Sequence, residues 1–182
     1  MKAWWCLLGV CLLGCSSQDP SSSDGGANGS ADDAQPDAPK PSDGGCNNLA
    51  NIGPVVQEMY VASDPPTGDG GTIADGTYAC TAVVIYTGPD GGTGAVGATI
   101  QDTVAVNGTV YERVYSAVND AGDDGSTFHQ NGHFTLSGGS GISIAATCPT
   151  VLKQPFTSYD SDGTKLRFYA PGPRWMFEYT KQ

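Results

Sequence analysis

The chain has 182 residues, with 8 Lys and Arg against 19 Asp and Glu, and therefore a net charge of −11. Nucleic acids and anionic lipid headgroups attract basic surfaces, so this balance excludes both as expected partners. Most of the acidic residues stand beside Gly or Ser, and we interpret them as solvated loop charges that favour solubility.

Residues 1–14 have the layout of a secretory signal peptide. A positive charge at Lys2 is followed by an apolar stretch from Ala3 to Leu13, and polar residues begin at Ser16. The apolar stretch is about half of the roughly 20 residues that a membrane-spanning helix requires. We therefore expect it to direct export rather than to span a membrane.

The end of that stretch, Leu12-Leu13-Gly14-Cys15, resembles the lipobox of bacterial lipoproteins. The resemblance implies cleavage before Cys15, diacylglycerol on the Cys15 sulfur and an acyl chain such as palmitate on the new amino group. Two or more chains anchor a protein stably, whereas one chain does so only marginally. In such lipoproteins an Asp after the Cys favours the inner membrane, and Ser16 stands there, which implies the outer membrane, at its periplasmic face or the cell surface. An ordinary cleaved signal with a coincidental Cys is the alternative.

The segment after Cys15 is rich in Ser, Gly, Pro, Ala and Asp and contains no Val, Ile, Leu or aromatic residue through residue 45. Such a segment cannot bury enough apolar surface to fold. As a flexible coil of about 30 residues it would hold the domain roughly 30 Å from the bilayer. We therefore predict a lipidated Cys and disordered tether over residues 15–45, and one folded domain over residues 46–182.

Three cysteines remain in the exported domain: Cys46, Cys80 and Cys148. In an oxidising compartment three thiols allow one disulfide and one free thiol. Cys80 lies within the apolar run from Tyr78 to Tyr86, whereas Cys46 opens the domain and Cys148 ends a strand-like segment. We predict a Cys46–Cys148 disulfide and a buried, free Cys80.

The domain has the pattern of short strands separated by turns rich in Gly, Pro, Asn and Asp. A helical turn is expected within residues 47–54, where Gly53-Pro54 would end it, and a polar acidic loop is expected over residues 119–126. Nine segments favour the strand conformation. They are residues 55–62, 77–87, 98–106, 109–118, 133–136, 141–147, 155–159, 165–169 and 174–180.

The pair Asn107-Gly108 is the most specific local signal, because a two-residue type I′ hairpin turn favours residues that accept positive φ at both positions. With that turn Val104 faces Tyr111, and Asp102 faces Arg113. The resulting cross-strand ion pair would contribute less than about 1 kcal/mol.

Eight or nine successive strands predict an all-β domain, an antiparallel up-and-down meander. A closed barrel is favoured over a β-sandwich because closure removes exposed strand edges. Residues 132–138, 142–149, 165–169 and 177–180 resemble the lipocalin-like domains of small bacterial lipoproteins. The resemblance implies a lipocalin-like barrel, although Gly76-Thr77-Tyr78 stands where true lipocalins carry Gly-x-Trp.

Several aromatic side chains are expected to point into the barrel. They either fill the interior or line a cavity for a small apolar ligand. The first arrangement suits a packed envelope module that contacts another protein, and the second suits a ligand-binding module. The candidate cavity residues are Tyr78, Phe134, Phe168, Trp175, Phe177 and Tyr179.

Two histidines and the acidic loop are the weak candidates for metal binding. His129 and His133 would share one face of a continuous strand, whereas a hairpin at Asn131-Gly132 would turn them to opposite sides. The loop offers oxygens for calcium but lacks the alternating acids and terminal Glu of an EF-hand. Its candidate ligands are Asp120, Asp123 and Asp124. We expect neither group to bind a metal, and no cofactor is predicted.

The sequence contains no Gly-x-Ser-x-Gly elbow, no His-Glu-x-x-His motif and no phosphate-binding loop. A hydrolytic enzyme is therefore less expected than a non-enzymatic domain. The overall expectation is a cell-envelope lipoprotein, held to the membrane by covalent lipid, whose barrel binds a small apolar ligand or contacts another envelope protein.

Overall fold

A computed structural model describes residues 45–118, 124–150, 155–171 and 174–182. Within these ranges the chain is all-β, with ten strands and no helix, so no helix capable of crossing a bilayer is found there. The strands are β1 (Val56–Val61), β2 (Gly70–Gly71), β3 (Gly76–Tyr86), β4 (Gly94–Asn107), β5 (Val110–Val118), β6 (Asp124–Ser137), β7 (Gly141–Cys148), β8 (Ser158–Ser161), β9 (Lys165–Ala170) and β10 (Trp175–Lys181).

Eight of the strands form an antiparallel up-and-down ring. From β3 to β10 each strand pairs with the next one in the chain, and β10 also pairs with β3, which closes the ring. Its narrowest junction joins β7 to β8, where Gly141 faces Ser158. The predicted all-β meander is therefore confirmed in a closed, barrel-like form, and closure leaves the ring with no free first or last strand.

The two remaining strands are additions to this ring. β3 and β4 pair with each other only near one end, where residues 76–79 face residues 103–106. Toward the other end β1 lies between them, parallel to β3 and antiparallel to β4. β2 is a two-residue strand that pairs in parallel with β8.

The core is built from the inward-facing residues of each strand, because successive side chains of a strand point to opposite faces. On β4, for example, Ile100, Val104 and Val106 are buried, and Asn107 at the end of the strand is exposed. The largest fully buried side chains are mostly aromatic. They include Tyr78, Tyr111, Phe168, Phe177 and Tyr179.

The β4–β5 hairpin forms where it is predicted, but its turn is displaced by one residue. Asn107 pairs with Val110, so the two turn residues are Gly108 and Thr109. Gly108 has a positive φ of 58°, and glycine at the first central position is what a type II′ turn requires. The predicted register, with Asn107-Gly108 as the turn, is therefore wrong.

Strand β6 is much longer than the segment 133–136 that the sequence predicts, since it runs over Asp124–Ser137. Asn131-Gly132 does not form a hairpin, and the strand continues through it with an irregularity in its pairing to β7. A side chain at Gly132 would lie 2.7 Å from the backbone oxygen of Ala145. The glycine thus permits close strand contact, and strand pairing on both sides overrides the local turn signal.

Residues 46–53, here called the clasp, form no helical turn, contrary to the sequence prediction. They lie instead against the outer face of β4, β5 and β6. Asn51 Nδ2 donates a hydrogen bond to the Gln101 carbonyl at 2.9 Å, and the N–H groups of Ile52 and Gly53 both donate to Thr103 Oγ1. Thr103 is consequently fully buried although it faces away from the interior.

The first residues of the clasp are fastened covalently and by hydrogen bonds. Cys46 forms a disulfide with Cys148, the pair that the sequence predicts, and this bond closes a loop of 102 residues. Asn47 Nδ2 donates to the Gln130 carbonyl at 2.9 Å and to Asn131 Oδ1 at 2.6 Å. The start of the folded domain is therefore tied directly to β6 and β7.

Candidate functional site

The centre of the interior holds an ion pair between β4 and β5. Arg113 Nη2 and Nε lie 2.6 and 3.0 Å from Asp102 Oδ2, and the two side chains are 2% and 0% exposed. In the observed register Asp102 faces Tyr115 and Arg113 faces Val104, so the contact runs diagonally across the strands. The predicted ion pair is present, but the prediction that its two residues face each other directly across the strands is wrong. Because the pair is buried, breaking it costs much more free energy than breaking an exposed pair.

Aromatic rings enclose the Arg113 guanidinium. Its central carbon lies 4.8 Å from the ring centre of Tyr115 and 5.5 Å from those of Phe156 and Phe177, within the range of cation–π attraction. Burial by itself acts to lower the pKa of Arg113, but the Asp102 carboxylate and nearby tyrosines outweigh it and raise that pKa well above its usual value. The guanidinium therefore remains charged in the interior.

Two neighbouring groups complete this polar centre. Tyr179 Oη donates a hydrogen bond to Asp102 Oδ2 at 2.7 Å. Burial, followed by the negative charge of Asp102, raises the pKa of Tyr179 well above its usual value and also raises that of the Cys80 thiol. Cys80 is free and buried, as predicted. A thiol held in its protonated form is a poor nucleophile, so the arrangement does not activate Cys80 for covalent chemistry.

Four of the six predicted cavity residues form one aromatic cluster. The ring centres of Trp175 and Phe177 are 5.8 Å apart, and those of Phe168 and Tyr179 are also 5.8 Å apart. Phe156 joins the two pairs, since it stacks on Phe168 at 4.7 Å and meets Phe177 edge to face at 5.7 Å. These separations are those of rings in direct contact.

The other two predicted cavity residues, Tyr78 and Phe134, belong to the same buried core. Tyr78 is fully buried, and its hydroxyl donates to the Ala74 carbonyl at 2.5 Å. Phe134 is 6% exposed and borders a groove at one end of the ring. The structure thus brings all six residues inward or to its rim, and four of them form two ring pairs that Phe156 joins.

Phe156 and Gln130 are among the buried residues that lie outside the predicted set. Phe156 falls within the segment 155–159 that the sequence predicts as a strand, but it precedes β8, and its place among the interior rings was not predicted. Gln130, which is 1% exposed, lies directly opposite Arg113 on β6, and its Nε2 atom has no hydrogen-bond partner among the described residues. Gln130 lies four residues before Phe134 on β6 and therefore shares its inward face. This pattern could have identified Gln130 only if residues 124–132 had been predicted as strand.

A groove of about 490 Å³ lies at the end of the ring where β4 turns into β5. Ile73, Phe134 and Leu136 supply its apolar side chains, and Leu136 is 42% exposed. This volume is within the range of about 300 to 1,000 Å³ that is usual for small-molecule sites. Small residues complete the lining, namely Gly71, Thr72, Gly108, Thr109 and Thr135.

The candidate metal ligands are dispersed. His133 is exposed, whereas His129 Nδ1 forms a hydrogen bond of 2.9 Å with Asn47 Oδ1. Four residues of extended strand span about 13 Å, so the two imidazoles do not converge on one ion. No cluster of three or more His, Cys, Asp or Glu residues occurs in the part of the chain with described positions. Outside that part lie Asp120, Asp123 and the side chain of Asp124.

Comparison with known proteins found no matching protein family, no matching curated protein and no matching solved structure.

Proposed function

We propose that this protein is a lipid-anchored component of the bacterial outer membrane whose folded domain is non-enzymatic and acts by contacting another envelope component through its surface. The pattern Leu12-Leu13-Gly14-Cys15 and the tether that follows it support the anchor. The loss of Lys2 with the signal leaves 7 basic and 19 acidic residues, a net charge of −12, which opposes nucleic acid as a partner.

The packed interior is the observation that carries the surface role. Phe168, Phe177 and Tyr179 are at most 1% exposed and lie in ring contact around the Asp102–Arg113 pair. A ligand entering this region would have to separate aromatic contacts and strip a charge pair of its partners, both of which are costly. The interior therefore supports stability, and recognition falls to the outer faces and the ends of the ring.

The same centre supports a non-enzymatic role. Asp102 is engaged by Arg113 and Tyr179, and Cys80 is kept protonated by burial. A general base or nucleophile must reach the substrate in its reactive form. These side chains are instead committed to one another.

Membrane fractionation with matched cysteine variants tests the anchor. Cys15→Ser is expected to release the protein from the outer-membrane fraction, whereas Cys11→Ser, which changes another signal-peptide cysteine, is expected to leave it there. Mass spectrometry of the mature protein should show diacylglycerol and acyl additions on a chain that begins at Cys15. A Cys15→Ser protein that remains membrane-bound would contradict the proposal.

A second candidate function, binding of a small apolar ligand, is favoured by the groove beside Ile73, Phe134 and Leu136. An environment-sensitive apolar fluorophore is the probe. Leu136→Asp should abolish its binding, and Val110→Asp should not, because Val110 has a similar exposure but lies outside that lining. Equal binding by both variants would remove the groove from consideration.

A further inference from the structure

The outer surface of β1 and of the residue before it is exposed and mostly apolar, interrupted by Gln57, whose side chain donates hydrogen bonds to the Val96 and Ala98 carbonyls. Val55, Met59 and Val61 point away from the interior, since they alternate with the inward-facing Val56 and Glu58. Val55 is 65% exposed and Met59 is 40% exposed. These side chains therefore present hydrocarbon to the surroundings in a strand that is hydrogen-bonded on both edges.

Neighbouring strands extend the same surface. Met59 faces Ala95 of β4, and Thr99 of β4 faces both Gln57 of β1 and Val118 of β5. Ala95 is exposed, and Val118 is 53% exposed. We call Val55, Met59, Val61 and Ala95 the apolar wall, and Val118, which faces Asp124 of β6, lies at its border.

The apolar wall carries no charge of its own. Glu58 is the one charged residue within residues 52–63 and 91–101, and it points inward and is 6% exposed. Residues 125–152 contain no Asp, Glu, Lys or Arg either, so large apolar side chains are what distinguish this face. Five of the eight large hydrophobic residues that are exposed in the described chain lie within residues 52–61. Contiguous exposed apolar side chains are typical of contacts with proteins or membranes.

The sequence between Cys15 and the domain lacks the large apolar side chains that a cover for the apolar wall would require. Residues 16–45 contain no Val, Ile, Leu or aromatic side chain that could pack against it. That segment instead leads to Cys46, which is bonded to the ring. With a lipid on Cys15, a flexible tether of this length would hold the domain roughly 30 Å from the bilayer on average. Lipid is therefore the apolar partner held closest to this face.

We propose that the apolar wall lies against the zwitterionic lipid surface of the membrane that anchors the protein. This inference rests on the proposed lipid anchor. An uncharged face can approach such lipid without desolvating a charge, whereas the acidic remainder of the domain is repelled by anionic lipid. Insertion of aliphatic side chains into the boundary between headgroups and acyl chains then fixes which side of the domain faces outward.

Quenching of tryptophan fluorescence tests this contact in the lipidated mature protein, reconstituted into phosphatidylcholine vesicles with or without brominated acyl chains. Met59→Trp places the reporter on the apolar wall. Ser143→Trp is the control, because Ser143 is exposed on β7, on the opposite side of the ring. The parent protein, with Trp175, sets the background. If residue 59 lies about 5 to 10 Å below the lipid surface, brominated lipid should reduce the fluorescence that Met59→Trp adds to the Trp175 background by about half or more. The fluorescence that Ser143→Trp adds should be unchanged.

Flotation of the same vesicles separates the two proposals. Protein that fails to float overturns the lipid anchor, and with it the contact between the apolar wall and the bilayer. Protein that floats with equal quenching, or none, at the two positions overturns the contact alone. Cross-linking of two copies through Met59→Cys in floating vesicles, without quenching of Met59→Trp, would assign the wall to a second copy of the chain instead.

Discussion

Replacing Asp102 by Asn keeps the shape of the side chain and its hydrogen bond from Tyr179, but it leaves the Arg113 charge without its carboxylate in the interior. Removal of one member of a buried ion pair typically costs about 3 to 5 kcal/mol. Asp102 and Arg113 are 0% and 2% exposed, so solvent cannot compensate the remaining charge. We expect the free energy of unfolding to fall by about this amount, a large part of the roughly 5 to 15 kcal/mol that stabilises a domain.

A double-mutant cycle isolates the pair from its surroundings. Arg113→Met should cost a similar amount, because it leaves the Asp102 carboxylate buried with Tyr179 as its remaining partner described here. The double variant should cost much less than the sum of the single variants, since neither charge then remains unpaired. Tyr179→Phe removes one charge-assisted hydrogen bond and is expected to cost about 1.5 to 3 kcal/mol.

Urea unfolding of these variants, followed by circular dichroism and by Trp175 fluorescence with the disulfide intact, measures the costs. Unchanged dependence on urea concentration would show that the native surface area is preserved. Single variants that each cost less than about 1 kcal/mol, as an exposed pair would, refute the reasoning from burial. Additive costs in the double variant would refute the direct coupling between the two side chains.

Replacing Cys46 and Cys148 together by Ala should lower the free energy of unfolding by about 4 to 5 kcal/mol, because the disulfide closes a loop of 102 residues in the unfolded chain. Equal urea midpoints for the variant and the parent protein would contradict this expectation. Cys80 should resist alkylation in the folded protein, because burial raises its pKa and hides its sulfur, and modification at the rate of an unfolded chain would contradict its placement. Hydrogen bonds from the N–H of Lys165 and from Thr164 lower the pKa of Asp162 from 3.8 to about 2. Because the pKa of Asp162 is lower in the folded than in the unfolded protein, this stabilisation should be complete above about pH 4 and disappear as the pH falls toward about 2. An NMR titration of the Asp162 carboxyl measures this pKa, and a midpoint near 4 would contradict the lowered value.

Local patterns were sufficient for most strands of this domain, although they missed β2 and residues 124–132 of β6. Strand-favouring residues located β3, the Asp162-Gly163 turn located β9, and alternation of side chains located β10, each within a residue or two. Gly138 and Gly139 marked the β6–β7 turn, and both have positive φ there. The disulfide between Cys46 and Cys148 also followed from the positions of three thiols along the chain.

The sequence by itself thus determined an all-β meander, its disulfide and the aromatic residues of its interior, because strand alternation and turn chemistry act over a few neighbouring residues. Only the tertiary structure decided that Asp102 and Arg113 form a buried ion pair. The turn shifted by one residue makes their contact diagonal, and Phe156 and Phe177 enclose Arg113. It also decided that the clasp covers Thr103 while β1 leaves Met59 exposed. Segments that are distant in sequence determine which face of a strand is covered, and the local sequence pattern does not identify those segments.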